Sequence, residues 1–143
     1  MSPQPDFVRT LRSLFHGPDA GWHVLRITLA GLIAAHGWAR LLAGGVPPFG
    51  AFFESQGFPA GIAWAAAVTG IEIVGSLLLL SGRLVRPLTF VFAAIYAMGI
   101  ALVHAQAGWF VVGLGRNGAE YSVLLIVCLL CVGLRHGGRR GET

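Results

Sequence analysis

Lysine is absent from this 143-residue chain, and charged side chains are scarce along its whole length. Only 11% of the residues are Asp, Glu, Lys or Arg, whereas 55% are hydrophobic. Soluble domains carry about a quarter charged residues, so this composition excludes an ordinary soluble domain and indicates lipid as the main solvent. Because the arginines flank apolar runs and do not form a continuous basic stripe, we do not expect nucleic acid as a partner.

Cysteine is also rare, since the chain has only Cys128 and Cys131, both within the last apolar run. The disulfide framework of a secreted domain needs cysteines in exposed loops, so that class is excluded. The Cys-x-x-Cys spacing is typical of redox pairs, but such pairs need a helix N-terminus or a nearby cation to lower the thiol pKa. We therefore expect both cysteines to pack as small hydrophobic residues, with redox activity as the alternative.

Several other signals are missing. No short apolar segment with a small-residue cleavage site follows Met1, so a cleaved signal peptide is not expected. The chain has no glycine-rich phosphate loop after a strand, no nucleophile elbow and no His-Glu-x-x-His run, so these catalytic motifs identify no catalytic residue.

Four apolar runs dominate the chain, and each is long enough to cross a bilayer core of about 30 Å as a helix. The predicted spans cover about residues 22–43, 60–80, 85–104 and 119–134. We therefore predict an all-α integral membrane protein, a bundle of four transmembrane helices that forms one domain over residues 1–143. Residues 1–21 are a cytoplasmic arm, read either as a short amphipathic helix at the membrane interface or as a frayed basic tail.

The arginines outside the spans are distributed unevenly. The first and third connections hold Arg116 alone, whereas the arm, the second connection and the tail hold Arg9, Arg12, Arg83, Arg86, Arg135, Arg139 and Arg140. Because basic residues favour the cytoplasmic side, both termini are predicted to be cytoplasmic. The first connection, residues 44–59, is rich in phenylalanine. We expect it to be a loop that lies on the non-cytoplasmic surface of the membrane.

Ionisable side chains occur inside every predicted span. In chain order they are Arg26, His36, Arg40, Glu72, His104 and Glu120. A charge in the bilayer core costs about 2.5 kcal/mol or more unless it is paired or faces a wet cavity, so these side chains should face the interior of the bundle. At about 100° per residue, the three on the first span share one face.

Depth in the membrane suggests how these side chains pair. We predict a buried ion pair of Arg26 with Glu72 in the cytoplasmic half. The outer half should hold a ligand-binding polar cluster made of His36, Arg40, His104 and Glu120. This cluster suits a small anion or a quinone head group. The alternative is that such ion pairs only determine which helices pack together.

Metal binding has weaker support in the sequence. A zinc or iron site needs three or four converging ligands, and only two histidines and one glutamate of the outer cluster qualify, so no metal is predicted. Small residues at four-residue spacing are expected to let helices approach closely, namely Gly31, Ala35, Ala63, Ala67, Ala93 and Ala97.

The order of these motifs resembles the DoxX family of small four-span membrane proteins. The matching motifs are Arg26, His36-Gly37 and Arg40, then Phe-Glu-Ser-Gln-Gly-Phe-Pro ending at Pro59, Ile-Glu-Ile-Val-Gly around Glu72, His104, and Glu120-Tyr121. The resemblance covers residues 22 to 135. Family members often have lysine in place of Arg40, which preserves the charge but changes the hydrogen-bond geometry.

The resemblance implies a multi-pass protein of the bacterial inner (plasma) membrane, embedded in the lipid bilayer. It also implies a subunit or accessory of a membrane redox process linked to quinone, thiol or sulfur chemistry, because the family is named from a thiosulfate:quinone oxidoreductase. A quinone would then be the cofactor and a redox protein the partner. The alternatives are a non-catalytic membrane scaffold that binds cargo or partner proteins, as in similar secretory cargo receptors, and a small-solute carrier.

Overall fold

The structure, a computed structural model, describes residues 19–113 and 115–138. Every regular element in these two stretches is a helix, and the helices are α1 (Ala20–Leu42), α2 (Val46–Ser55), α3 (Gly61–Leu80), α4 (Val85–Ala107) and α5 (Glu120–Gly138). The predicted all-α class is therefore confirmed. Nearly all of the predicted arm, residues 1–18, lies outside the described residues.

Four of these helices begin and end within four residues of the predicted spans. The boundaries coincide with local signals in the sequence. At the end of α3, Gly82 has a φ of +78°, a left-handed conformation that favours glycine and stops the helix. Pro87 lies near the start of α4, where its missing N–H leaves no helical hydrogen bond unmade.

The first connection differs from its prediction as a loop, because α2 occupies Val46–Ser55 within it. Pro47 and Pro48 fall in the first turn of this helix, where proline's fixed φ favours helical backbone. The axis of α2 is bent by 98° from that of α1, with Gly44 at a φ of +66° in the short link. The prolines that indicated a loop therefore begin a second helix.

The helices pack around two apolar clusters. Helix α1 lies along α3 and α5, and α4 packs mainly along α5. The larger cluster contains Leu29, Ala30, Ile33, Leu79, Val85, Phe92, Leu125, Leu129 and Val132. The smaller one joins α2 to α3 through Phe53, Ala65 and Val68. These contacts leave a space, bordered by all five helices, where polar side chains collect.

The outer faces of the helices are apolar. Large hydrophobic side chains stay exposed on them, including Leu32, Val74, Leu77, Val91, Leu124 and Val127. Such a surface is characteristic of helices solvated by lipid. Within residues 19–113 and 115–138, α3 and α4 are long and apolar enough to cross a membrane, and the bent pair α1–α2 makes a third when counted as one broken span. Four spans and cytoplasmic termini stay predictions.

Candidate functional site

Arg40 on α1 and Glu72 on α3 form the central polar contact. The Nη1 atom of Arg40 lies 2.5 Å from Oε2 of Glu72 and donates a second hydrogen bond, of 3.1 Å, to Oγ1 of Thr69. The Glu72 side chain is only 4% exposed, so its charge depends on this partner. Helix α2 places the ring of Phe49 4.4 Å from the guanidinium carbon of Arg40, a cation–π contact.

The predicted pairing of Arg26 with Glu72 is wrong, because the register of α1 against α3 favours Arg40. Gly37 marks this register, since a Cβ there would lie 3.0 Å from the Cβ of Glu72. Arg40 follows one turn later and so reaches Glu72. Arg26 precedes Gly37 by eleven residues, or about 16 Å along the helix. It donates instead to the carbonyl oxygens of Leu79 and Leu80 at the end of α3.

Two π-helical turns occur in the described part of α3 and α4. Ile71–Gly75 interrupts α3 and contains Glu72, and Ile100–His104 interrupts α4 and ends at His104. A π-turn inserts one extra residue into a helix and is frequent at functional sites. Each turn therefore changes the direction in which the following side chains point, and each contains one of the six predicted ionisable residues.

A cavity of about 340 Å³ lies next to the ion pair. Its polar lining comes from His36, Arg40, Glu72, Tyr96, His104, Asn117, Tyr121 and Ser122. Its apolar lining comes mainly from Phe49, Phe52, Phe53, Val68, Ile95, Met98, Leu102 and Val103. Small-molecule sites in proteins have this character, with a volume of about 300–1,000 Å³ and a few polar groups on apolar walls.

Tyr96 is the polar residue that the sequence analysis missed. Its Oη atom is buried and has no hydrogen-bond partner within the described part of the chain. Burying an unpaired hydroxyl costs about 1–3 kcal/mol, so such groups are rare in native proteins. Its ring meets that of His36 edge-on, with the ring centroids 6.4 Å apart. The available signal was its position in the middle of a span, since tyrosine normally lies at membrane interfaces.

The four residues predicted as a ligand-binding cluster have different positions. Arg40 and His104 line the cavity, and His36 lines it from an exposed position on α1, at the cavity's edge. Glu120 is not among the lining residues. Its Oε1 atom accepts a hydrogen bond of 2.9 Å from the backbone N–H of Val111. Glu120 therefore holds the connection between α4 and α5, which covers one side of the cavity.

His104 also contacts this connection. Its Nδ1 atom lies 2.7 Å from the carbonyl oxygen of Asn117. A carbonyl only accepts, so Nδ1 carries the hydrogen and Nε2 of a neutral ring is an acceptor. The ring is thus oriented by the backbone while it lines the cavity.

The positions of the potential metal ligands and of the two cysteines can be compared with the cavity. No group of three His, Cys, Asp or Glu side chains comes together as a metal site among residues 19–113 and 115–138. Cys128 and Cys131 form no disulfide with each other; Cys131 is exposed and Cys128 is half-buried. Neither lines the cavity.

A comparison with known families matches more than half of the chain. Residues 21–105 match the model of the family described as DoxX, a range that begins with α1 and ends in the last turns of α4. No curated protein and no solved structure matches the chain.

Proposed function

The chain belongs to the DoxX family of membrane proteins, and from that premise we propose that it binds a quinone in the cavity beside Arg40 and Glu72, as an accessory subunit of a membrane redox process. The single observation that carries this proposal is the buried Oη atom of Tyr96, a hydrogen-bond donor without a partner in the described chain. A ligand oxygen in the cavity would satisfy it.

The proposal includes a topology. We infer four spans, with α5 as the last, in the inner membrane of a bacterium, and both termini on the cytoplasmic side. The excess of arginine in the arm, the second connection and the tail supports this orientation. The cavity lies near the C-terminal ends of α1 and α4. In this topology it would be in the outer half of the bilayer.

The walls of the cavity suit a quinone better than a small hydrophilic anion. Aromatic and aliphatic side chains from α2, α3 and α4 make most of its surface. The one cation, Arg40, is already paired with Glu72, so the site offers an anion little net charge. A quinone ring is flat and apolar, and its two carbonyl oxygens accept hydrogen bonds. Tyr96 and Arg40 are the donors that we assign to these oxygens.

Reduction of a quinone to a quinol takes up two electrons and two protons. We assign the electrons to a partner redox protein and the protons to side chains of this chain. His104 and Tyr96 both line the cavity, where Nε2 of a neutral His104 accepts a proton and passes it to a quinone oxygen that the Tyr96 hydroxyl hydrogen-bonds. His36 is exposed and lies at the edge of the cavity. We propose that a proton, or the ligand itself, enters the cavity past this side chain.

A second candidate function is a non-catalytic scaffold. It is favoured by the Arg40–Glu72 contact, because this pair joins α1 to α3 and is complete without a ligand. A scaffold does not explain the cavity or the hydroxyl of Tyr96. The two candidates therefore differ in what they predict for ligand binding and agree in what they predict for the ion pair.

Co-purification is the direct test of the proposed function. The full chain is extracted in mild detergent from cells that make quinones, and bound small molecules are identified by mass spectrometry. We expect about one quinone per protein chain. The Leu102→Trp variant, which fills the cavity, should lose it, whereas Leu124→Trp on the exposed face of α5 should retain it. Equal quinone content in both variants would show that quinone only dissolves in the micelle, and its absence from the wild type would overturn the proposal.

A further inference from the structure

A second cavity, of about 400 Å³, lies at the opposite end of the bundle. It is formed where α1 and α4 begin and where α3 and α5 end. Its lining consists of Asp19, Trp22, His23, Arg26, Gly82, Val85, Val132, Arg135 and His136. Two arginines outweigh the single aspartate, and two histidines add positive charge when protonated. The proposed quinone site uses none of these residues.

Arg26 occupies one wall of this cavity and is partly committed to the fold. Its Nη1 atom donates to the carbonyl of Leu79 and, at 2.8 Å, to that of Leu80. The carbonyl of Leu79 also accepts a hydrogen bond of 3.1 Å from the backbone N–H of Gly82, so Arg26 is a second donor to Leu79 and caps the carbonyl of Leu80 at the end of α3. A guanidinium has five N–H donors, and within the described chain only Nη1 donates. The Nε and Nη2 hydrogens therefore stay available to a ligand in the cavity.

Arg135 occupies another wall. Its Nη2 atom lies 2.7 Å from Oδ1 of Asp19, and its guanidinium carbon lies 5.8 Å from the ring centroid of Trp22. The side chain of Arg135 is 48% exposed, so this ion pair adds little to stability, about 0–1 kcal/mol. Arg135 of α5 is therefore open to a second anion besides Asp19, and binding that anion would break no buried contact.

The side chains around the cavity are those expected at the depth of the lipid head groups. Trp22 is 36% exposed in the first turn of α1, and tryptophan is enriched at the membrane–water interface. Apolar side chains that face outward follow from Val24 onward. Gly82 keeps the space open, since a Cβ there would lie 3.3 Å from Nη1 of Arg26.

We propose that this cavity is a binding site for the phosphate group of an anionic phospholipid. Basic pockets between helices on the cytoplasmic side of membrane proteins bind such head groups. Arg26 and Arg135 bind the phosphate oxygens through charge-assisted hydrogen bonds, the strongest class for this ligand. The volume exceeds that of a phosphate ion and accommodates a glycerol as well, which favours a lipid over the free ion.

The test compares two lipids that share a phosphate and the same acyl chains but differ in head group and in net charge. The purified full chain is titrated with phosphatidylglycerol or phosphatidylcholine of the same acyl chains, and bound lipid is counted by native mass spectrometry. We expect phosphatidylglycerol to bind at one saturable site. The affinity of phosphatidylcholine for this site should be at least fivefold lower. Arg135→Gln should weaken phosphatidylglycerol about fivefold, the loss expected for one arginine.

Arg83→Gln is the matched control, because Arg83 is an exposed arginine outside the cavity lining. We expect this variant to bind phosphatidylglycerol like the wild type. Equal losses in both variants would overturn the proposal in favour of a diffuse basic surface. Equal binding of the two lipids would overturn it as well. Inorganic phosphate is added as a separate competitor, and displacement of the lipid at equal concentration would assign the site to the free ion.

Discussion

The carboxylate of Glu72 and the guanidinium of Arg40 lie 2.5 Å apart, on two helices that approach closely at Gly37. Thr69 and the ring of Phe49 complete the surroundings of the arginine. The pair therefore connects α1, α2 and α3 at the wall of the cavity. Both candidate functions require it, since a scaffold uses it for packing and a binding site uses it as a polar wall.

Removal of one member of this pair should destabilise the protein. Glu72→Gln leaves the charge of Arg40 partly buried without a counter-charge, and we expect a loss of about 3 kcal/mol in the free energy of unfolding. The double variant Arg40→Met/Glu72→Leu should recover most of this loss, because it leaves no unpaired charge. Unfolding in detergent, followed by circular dichroism, measures both. Glu54→Gln, at an exposed position on α2, is the control; a Glu72→Gln variant as stable as that control would contradict the account.

Two glycines on α1 should respond in opposite ways to the same substitution. A Cβ at Gly37 would lie 2.9 Å from Cγ1 of Ile73, so Gly37→Ala separates α1 from α3 and should cost about 1–3 kcal/mol. A Cβ at Gly31 meets nothing within 4 Å, so Gly31→Ala should be neutral or gain about 0.5–1 kcal/mol from helix propensity. Thermal unfolding of the two variants measures the difference, and equal shifts would show that Gly37 is not the close contact.

Glu120 should control the mobility of the connection between α4 and α5. Its carboxylate accepts the backbone N–H of Val111, so Glu120→Leu removes the acceptor and Glu120→Gln retains one. Hydrogen exchange of a peptide around Val111 should become at least tenfold faster in the leucine variant and change little in the glutamine variant. Unchanged exchange in the leucine variant would mean that other contacts hold this connection.

The predicted topology can be tested with single cysteines. Ser81→Cys and Val112→Cys are introduced separately into a Cys128→Ala/Cys131→Ala background, and both positions are exposed. A membrane-impermeant maleimide added to intact spheroplasts should label the cysteine at position 112 and leave that at position 81 unlabelled until the cells are lysed. The reverse pattern would invert the orientation, and labelling of both from outside would rule out a membrane crossing between them.

The positions of the helices follow from the sequence because apolar runs and their glycine or proline boundaries are local features. The pairing of charges does not, because it depends on the register between two helices. That register is set by Gly37 against α3, and no periodicity in either helix reveals it. Depth along the helices alone therefore paired Glu72 with Arg26, whereas the register pairs it with Arg40.

Other misses have similar causes. The small residues predicted to bring helices together include Gly31, where an added Cβ would meet nothing within 4 Å. Small side chains on an outward-facing surface have the same spacing as those at an interface. The two π-turns have no sequence signature of their own, and each shifts the side chains that follow it. The sequence pattern did not single out Tyr96. Its importance comes from a hydroxyl that the fold leaves without a partner.

The most direct test of a ligand in the cavity compares stability and quinone affinity in the Tyr96→Phe variant. The substitution removes only the Oη atom, so the free energy of unfolding should stay equal or rise by about 1 kcal/mol, since a buried unpaired hydroxyl is lost. Titration with a short-chain quinone should give a Kd about fivefold higher than in the wild type. Tyr121→Phe is the control, because the ring of Tyr121 lines the same cavity but is exposed, and its Kd should equal that of the wild type. An unchanged Kd, or a clear loss of stability, would contradict the assignment of Tyr96 to a ligand.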